Sequence, residues 1–198
     1  MSPRPDVSEE RTNQILNAAS DVFSRLGFHK ARVNDIAEEA GLSKGTLYWY
    51  FKSKDDIINA LLDRLFEHGI SGLRELQAAD ESATEKLLQF TERTIDEIDQ
   101  LLNMLPLTYE FLGLIFRRKN VKIAFKRYFH SYMDLLTPII QQGINAGEFR
   151  DVDAHDVAVA VSAVFEGTIL LWVYDSDAVD LKKHIQKGIQ LLIDGIKA

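Results

Sequence analysis

Cysteine is absent from this chain of 198 residues, and proline occurs only four times. Without cysteine the chain can form neither a disulfide framework nor a thiolate metal site, which fits a reducing, cytoplasmic location. The first twelve residues hold no apolar stretch, so we expect no secretory signal. A phosphate-binding glycine loop, an H-E-x-x-H pair and a nucleophile elbow are also missing, and the sequence therefore predicts no catalytic residue, no cofactor and no enzyme activity.

Acidic residues are clustered near position 153, but this cluster does not indicate a metal site. Asp151, Asp153, His155 and Asp156 lie where a helix is expected to begin. Acids at a helix start are favoured by the helix dipole alone. We therefore expect no metal site here or elsewhere in the chain.

Apolar residues recur at helical spacing through most of the chain, and no segment shows the alternation of a strand. Repeats and low-complexity segments are also missing. The sequence predicts an all-α fold of about nine helices. Their expected ranges are 9–26 (capped by Ser8 and ended by Gly27), 33–40, 44–50, 54–76, 83–102, 106–116, 120–145 (kinked or divided at Pro138), 154–174 and 179–197.

One stretch in the first quarter of the chain carries the most distinctive local pattern. Ile36 and Ala40 are apolar at helical spacing and predict a short helix over 33–40. Gly41 suits the left-handed position that ends a helix, and Ser43 is a good cap for the helix that follows. Two short helices joined by a tight glycine turn predict a helix-turn-helix, which places its second helix in the major groove of DNA.

The second of these helices has an outer surface suited to DNA. Leu47 and Phe51 are four residues apart and should face inward, which leaves many aromatic, hydroxyl and lysine groups outside. Hydroxyl and lysine groups suit phosphates, an aromatic ring or threonine methyl suits a thymine methyl, and Gly45 allows a close backbone approach. The predicted DNA-binding residues are Arg32, Asn34, Ser43, Lys44, Gly45, Thr46, Tyr48, Trp49, Tyr50 and Lys54, of which Arg32, Asn34 and Lys54 would anchor phosphates.

Residues 11–54 resemble the DNA-binding segment of the tetracycline-repressor (TetR/AcrR-type) regulators. The residues that carry the resemblance are Ile15, Ala18, Ala19, Phe23, Gly27, Phe28, Ile36, Ala37, Ala40, Gly41, Leu42, Ser43, Gly45, Thr46, Leu47, Tyr48, Tyr50, Phe51 and Lys54. Such regulators usually have a threonine or serine before the first reading helix, as its cap and a phosphate contact. This chain has Ala31 and Arg32 there, so the cap is lost or replaced, and its loss would cost about 1 kcal/mol.

The charge of the chain is distributed unevenly along its length. The net charge is −7, which by itself opposes DNA binding. Residues 1–54 carry a net charge of +1, and residues 55–198 carry −8. Because charges beyond about 10 Å are screened at ordinary salt, the local patch decides the attraction to phosphate.

The middle helices are candidates for an inducer pocket, which the family resemblance also implies in this region. Large apolar groups are frequent over residues 104–116. The predicted ligand-binding residues are Tyr109, Phe111, Arg117, Tyr128, Tyr132, Phe165, Glu166 and Trp172. For each aromatic residue, packing in the core remains an equal alternative. Glu166, an acid within an apolar helix, either senses ligand or has a structural role, by pairing with a base or bonding across a dimer.

Residues 117–127 form a basic run without an acid. Arg118, Lys122 and Lys126 line up at helical spacing within it. Such a run is usually a solvated face. The more specific hypothesis is that this run forms the rim of a binding site for an anionic inducer, such as a fatty-acyl coenzyme A.

The last two predicted helices carry more apolar surface than a domain of this size needs. The helix over 154–174 is nearly all apolar, but Glu166 near its middle would cost about 3 kcal/mol within a membrane. We therefore predict no membrane span. Pairing of the two helices with their copies across a two-fold axis, as a four-helix bundle, is favoured over an internal core, partly on the family resemblance.

These expectations define two domains and one function. Residues 8–68 would form a helix-turn-helix DNA-binding domain with a three-helix head, and residues 69–198 a helical ligand-binding and dimerisation body. The chain would be a DNA-binding transcriptional regulator, a homodimer that an unidentified inducer releases from a near-palindromic double-stranded operator. The alternative is a helical small-molecule-binding protein or enzyme in which the N-terminal unit is only structural.

Overall fold

The computed structural model describes residues 7–198, and within them the side chains other than those at positions 7, 68, 69, 99–101, 103 and 104. The described residues form an all-α fold, as predicted, and their one β-bridge joins Phe149 and Lys197. The helices are α1 (Val7–Lys30), α2 (Val33–Glu39), α3 (Lys44–Tyr50), α4 (Lys54–Ala78), α5 (Ala83–Asp96), α6 (Ile98–Ile115), α7 (Lys119–Asn145), α8 (Ala154–Tyr174) and α9 (Leu181–Ile196).

The helices belong to two compact units. The first unit comprises residues 1–67 and 101–126, and the second comprises residues 68–100 and 127–198. The chain therefore leaves the first unit after Glu67 and returns to it for most of α6 and the start of α7. The division into domains at residue 68 remains a prediction about which segments fold together.

The core of the first unit is built from the apolar faces of its short helices. Phe23, Phe28 and Leu47 are fully buried, and the Phe23 and Phe28 rings stack with centroids 4.4 Å apart. The returning segment contributes Phe111, which is fully buried and lies 5.9 Å from the Phe28 ring. Aromatic pairs of this kind add about 0.5–1.5 kcal/mol beyond the area they bury. Residues far apart in the chain thus share one core.

The second unit packs α5, most of α7, α8 and α9 around aliphatic side chains. Ser82 and Glu85 form a capping box at the start of α5, with the Glu85 amide donating to Ser82 Oγ at 3.2 Å. Close packing of α8 and α9 depends on Gly188, because a Cβ there would lie 2.7 Å from Val164 Cγ1. The buried residues of this unit include Leu87, Met133, Leu136, Ile140, Phe149, Val161, Ile185 and Ile189.

Two predicted helix boundaries in the middle of the chain are wrong. The fifth helix ends at Asp96 rather than near residue 102, and α6 runs through Pro106 instead of beginning there. Pro138 likewise lies inside an undivided α7. Proline in a helix costs about 3 kcal/mol. Burial of the neighbouring apolar side chains offsets this cost, since each contributes about 1.5–3 kcal/mol, and Leu105, Leu107, Ile139 and Ile140 are all buried.

Gly27 ends the regular part of the first helix, as predicted, and a short second helical segment follows it. The helix continues to Lys30 after a break at Gly27, whose φ of 70° is unfavourable for other residues. The break turns the chain so that Phe28 enters the core. Glu110 stabilises this turn by accepting a hydrogen bond from the Phe28 amide at 3.2 Å.

Candidate nucleic-acid interface

The turn between α2 and α3 has the geometry that the sequence predicted. Gly41 adopts a left-handed φ of 64°, and the Leu42 amide donates to the Ala37 carbonyl at 2.8 Å. Ser43 then caps α3, since its Oγ accepts from the Thr46 amide at 3.0 Å. The turn therefore fixes the direction in which α3 leaves it.

The outer face of α3 presents aromatic rings to solvent. Leu47 is fully buried and holds the helix against the core, whereas Trp49 is 69% exposed and Tyr48 is 37% exposed. The rings of Trp49 and Tyr50 meet edge to face, with centroids 4.7 Å apart. Exposed aromatic rings that brace one another form a rigid apolar surface suited to base edges and thymine methyl groups.

Lysines surround these rings at both ends of α3. Lys44 Nζ lies 5.8 Å from the Tyr48 ring centroid. Lys52 Nζ donates to the carbonyl oxygens of Tyr48 at 3.0 Å and Trp49 at 3.3 Å, and so satisfies the end of the helix. Lys52 was not among the predicted site residues. Its position just after a short predicted helix was the sequence signal that could have identified it.

The fold does not require a glycine at position 45, inside α3. A Cβ at this position would meet only Ser43 Oγ, at the ordinary contact distance of 3.7 Å. Its backbone does not have a positive φ. Because glycine inside a helix costs about 0.5–1 kcal/mol relative to alanine, its presence agrees with the predicted close approach of another molecule.

The phosphate anchors predicted at the start of α2 lie on the surface. Arg32 and Asn34 are both exposed. The missing hydroxyl cap of α2 is partly replaced by Asp35, whose Oδ2 accepts from the Arg32 amide at 2.7 Å. The Arg32 side chain is thereby left outside the cap, where a phosphate could be bound.

Lys54 makes structural contacts in the first unit that the sequence did not predict. Its ammonium donates to the carbonyl oxygens of Phe28 and Ala31, and lies 5.0 Å from the Phe28 ring centroid. Burial lowers the pKa of Lys54, and the positive charge of Arg118 lowers it further. The side chain thus joins the end of α1 to the start of α4, and its contact with phosphate remains a prediction.

An aromatic cluster in the second unit brings together three of the predicted ligand-binding residues. The Tyr128 and Tyr132 rings are 6.1 Å apart, and Phe90 links them to Phe165, with centroids 6.1 Å from Tyr132 and 5.4 Å from Phe165. Phe90 was missed because an aromatic on an amphipathic helix is no different in sequence from an ordinary core residue. Burial raises the pKa of Tyr128 to about 12.

Glu166 stands beside this cluster on α8. The residue as a whole is exposed. The surrounding protein nevertheless desolvates its carboxyl group and so raises the pKa of Glu166. Its charge in turn raises the pKa of Tyr128, after the larger effect of burial. An acid next to two tyrosines is therefore the most polar feature of the cluster.

The other predicted ligand-binding residues have different surroundings. Phe111 belongs to the core of the first unit, as the packing alternative allowed, while Tyr109 is half-buried and Arg117 is exposed in the same unit. Trp172 is half-buried on α8, two turns beyond Phe165. A solvent-open groove of about 670 Å³ in the second unit is lined by Thr137, Pro138, Gln141, Gln142, Asn145 and Ala146, none of which was predicted.

Among the described residues, no three side chains of His, Asp or Glu gather as metal ligands. Asp153 instead caps α8, because its Oδ1 accepts from the amides of His155 at 2.8 Å and Asp156 at 3.0 Å. The acids near this position therefore have a structural explanation.

Comparison with family models identifies both parts of the chain. Residues 15–61 match the model for bacterial regulatory proteins of the tetR family. Residues 72–198 match the model for the C-terminal region of QacR-like proteins. The two matches include all of the described helix-turn-helix and all of the aromatic cluster.

Relatives and solved structures agree with these matches. The chain is 29% identical over 188 residues to the fatty acid metabolism regulator protein of Bacillus subtilis, with 92% of this chain and 94% of that protein covered. It is also 29% identical to the HTH-type regulator TtgR of Pseudomonas putida over 200 residues, covering 97% of this chain and 94% of TtgR. The structure of FadR from Bacillus subtilis, in complex with stearoyl-CoA, has 27% identity, a TM-score of 0.77 and coverage of 93% and 98%.

Proposed function

Because this chain belongs to the tetR family and is a DNA-binding transcriptional regulator, we propose that it acts as a homodimeric, ligand-released repressor in the cytoplasm. The observation that carries the proposal is the exposed aromatic face of α3, held outward by buried Leu47. The residues assigned to base or phosphate contacts are those predicted on α3 and its flanks.

Apolar side chains on α8 and α9 support the dimer. Leu171 is 55% exposed, Tyr174 is 71% exposed and Leu191 is 72% exposed. By length and composition alone, α8 is apolar enough to span a membrane, with a mean hydropathy of 1.9. Only 22% of this apolar stretch is buried within the chain. Burial of the remaining surface against a second copy would remove it from water, at about 25 cal/mol for each Å².

The dimer would present two reading helices to DNA. Two-fold symmetry of the protein requires a near-palindromic operator whose half-sites lie about one helical turn apart, or a multiple of that spacing. A single reading unit of this size could not supply much specificity by itself. Loss of the dimer should therefore weaken operator binding more than it weakens binding to random DNA.

The inducer would be a hydrophobic molecule of the acyl-CoA type. The aromatic cluster around Tyr132 offers apolar surface, and the neighbouring carboxyl of Glu166 offers one orienting polar group. The relative that binds stearoyl-CoA supports this ligand class. Calorimetry with stearoyl-CoA tests the proposal, and the absence of heat at high micromolar ligand would exclude this inducer.

Release from DNA requires a ligand that prefers the conformation unable to bind the operator. A nearly complete switch needs about 5 kcal/mol of such preference. Residues 110–125 provide a physical connection to the reading helices within the first unit. Glu110 bonds the Phe28 amide, and Asn120 Nδ2 donates to Asn59 Oδ1 at 3.2 Å. A ligand-dependent movement of α6 would therefore act directly on α1, and a movement of the start of α7 would act directly on α4.

Selection from a pool of random duplexes, followed by fluorescence anisotropy, tests the DNA-reading assignment. Trp49→Ala should weaken binding to the selected operator by roughly fivefold or more, since a good base contact contributes about 1–3 kcal/mol. Phe129→Ala removes another exposed aromatic, 44% exposed on α7, and should leave binding unchanged. If the wild-type protein binds no duplex, the rival assignment of a purely structural N-terminal unit gains support.

A further inference from the structure

A second electropositive surface lies in the first unit, outside the helix-turn-helix. It consists of Lys119, Lys122 and Lys126, which are all exposed and recur at the three- and four-residue spacing that aligns side chains along one side of α7. We name these three lysines the α7 basic face. No acidic residue occurs between Glu110 and Asp134. The attraction of this face for an anion is therefore not weakened by any acid on the first three turns of α7.

Arg118 fixes the start of α7 beside a predicted phosphate anchor. Its guanidinium pairs with Asp55 at the beginning of α4 and lies 5.5 Å from the Phe28 ring centroid. Lys54 lies 5.0 Å from the same ring. Because both cations lie within 5.5 Å of one ring centroid, their separation is at most about one screening length, roughly 10 Å at ordinary salt. An anion near one of them is therefore attracted by both.

The pairing of Arg118 with Asp55 also removes an electrostatic obstacle. Asp55 follows Lys54 directly and would repel the phosphate that Lys54 is expected to bind. An arginine at bonding distance neutralises that carboxylate locally. The start of α7 therefore makes the start of α4 more favourable for a polyanion.

The charge of the first unit depends on this returning segment. Residues 1–67 contain nine Lys/Arg and eleven Asp/Glu, a net charge of −2, whereas residues 101–126 contain five and one, a net charge of +4. The unit that holds the reading helix is thus positive only because the returning segment belongs to it. DNA binding draws most of its sequence-independent affinity from such cations.

From these observations we infer that the α7 basic face, held in place by Arg118, is part of the DNA interface and attracts phosphates beyond those contacted by α3. The inference rests on the proposed operator binding and extends the interface past the segment that resembles the family. The face would raise affinity for every duplex without changing which sequence is preferred, because lysines at phosphates carry no base information.

An anionic membrane is a second polyanion with chemistry that fits the same surface. Phe116 is 93% exposed and Ile123 is 54% exposed beside the lysines, a combination that also suits the surface of an anionic membrane. Duplex DNA is favoured because Arg118 ties the face to Lys54 and Phe28, inside the unit that carries the reading helix. Binding to anionic vesicles is therefore measured as a separate outcome.

The experiment measures the salt dependence of DNA binding by the full-length protein. Fluorescence anisotropy gives the association constant for the selected operator and for a random-sequence duplex between about 50 and 200 mM salt. Replacement of Lys119, Lys122 and Lys126 by glutamine should flatten the plot of log affinity against log salt by about 0.9 for each phosphate that the variant no longer neutralises. The ratio of operator to random affinity should stay constant.

The control has the same change of charge in the second unit. Arg74, Arg150 and Lys197 are exposed in the second unit and lie outside the proposed dimer helices α8 and α9, so their replacement by glutamine should leave the slope as in the wild type. Equal slopes for wild type and both variants would overturn the inference while leaving operator binding intact. Equal flattening by both variants would also overturn it, because net charge alone would then account for the effect.

Two further measurements separate other anions from DNA. Cosedimentation with phosphatidylglycerol vesicles, against phosphatidylcholine vesicles as a reference, detects binding to lipid, and calorimetry with stearoyl-CoA detects binding of an acyl-CoA. If the α7 variant is defective in either of these and keeps the wild-type salt slope for DNA, the surface serves that other anion and the inference is wrong. If the wild-type protein binds no duplex at all, the proposed function has failed instead.

Discussion

Replacement of Gly45 by alanine would separate the stability of the first unit from its contact with DNA. The added methyl group would touch only Ser43 Oγ, at 3.7 Å, so the folded chain can accept it without strain. Alanine is favoured over glycine within a helix by up to about 1 kcal/mol, chiefly because glycine gains more freedom on unfolding. We therefore expect Gly45→Ala to raise the free energy of unfolding by about 0.5–1 kcal/mol.

The same methyl group should weaken binding to DNA. If the backbone of α3 approaches DNA at Gly45, an extra carbon overfills the interface, and overpacking typically costs about 1–3 kcal/mol. Such a cost corresponds to a loss of affinity of roughly fivefold to more than a hundredfold. Urea unfolding measures the first effect, and fluorescence anisotropy with the selected operator measures the second.

Gly72→Ala is the matched control for this substitution. Gly72 lies inside α4, and a Cβ there would meet nothing within 4 Å. It should stabilise the chain by a similar amount and leave operator affinity unchanged. A Gly45→Ala protein that is more stable and binds DNA as well as the wild type would refute the close approach of α3 to DNA.

Three further substitutions test the second unit. Gly188→Ala should lower stability by about 1–3 kcal/mol, because its methyl would clash with Val164, and adding Val164→Ala should restore much of the stability in urea unfolding. Asp153→Ala should lower the unfolding free energy by about 1 kcal/mol through loss of the α8 cap. Because the pKa of Tyr128 is raised from 10.0 to about 12, its contribution to stability should be complete below pH 10 and disappear as pH rises to about 12. Tyr128→Phe should remove a tyrosine ionisation near pH 12 from an ultraviolet titration; an unchanged titration would contradict this assignment.

The reading helices could be predicted because their signals are local. Gly41 and Ser43 specify the turn and the cap within a few residues, and Leu47 specifies the buried side of α3. The structure and the family models confirm the helix-turn-helix for these reasons. Which side chains contact DNA stays a prediction, because exposure alone does not define a contact.

Other features depend on residues that are distant in sequence. Lys54 was expected on the surface, but its position is set by carbonyl oxygens 26 and 23 residues earlier in the chain. The place of Phe111 in the core of the first unit depends on Phe28, which no periodicity connects with it. The predicted boundary between α5 and α6 is wrong because burial of Leu105 and Leu107 offsets the cost of Pro106 inside α6.

The discontinuity of the first unit restricts how this regulator can be recombined with others. A chimaera that transplants only residues 1–67 would leave Phe28 without Phe111 and Phe66 without Phe125, whose rings lie 5.0 Å apart. It would also leave the Phe28 amide without the Glu110 carboxylate. A graft that retains operator specificity must therefore carry residues 101–126 together with the N-terminal segment.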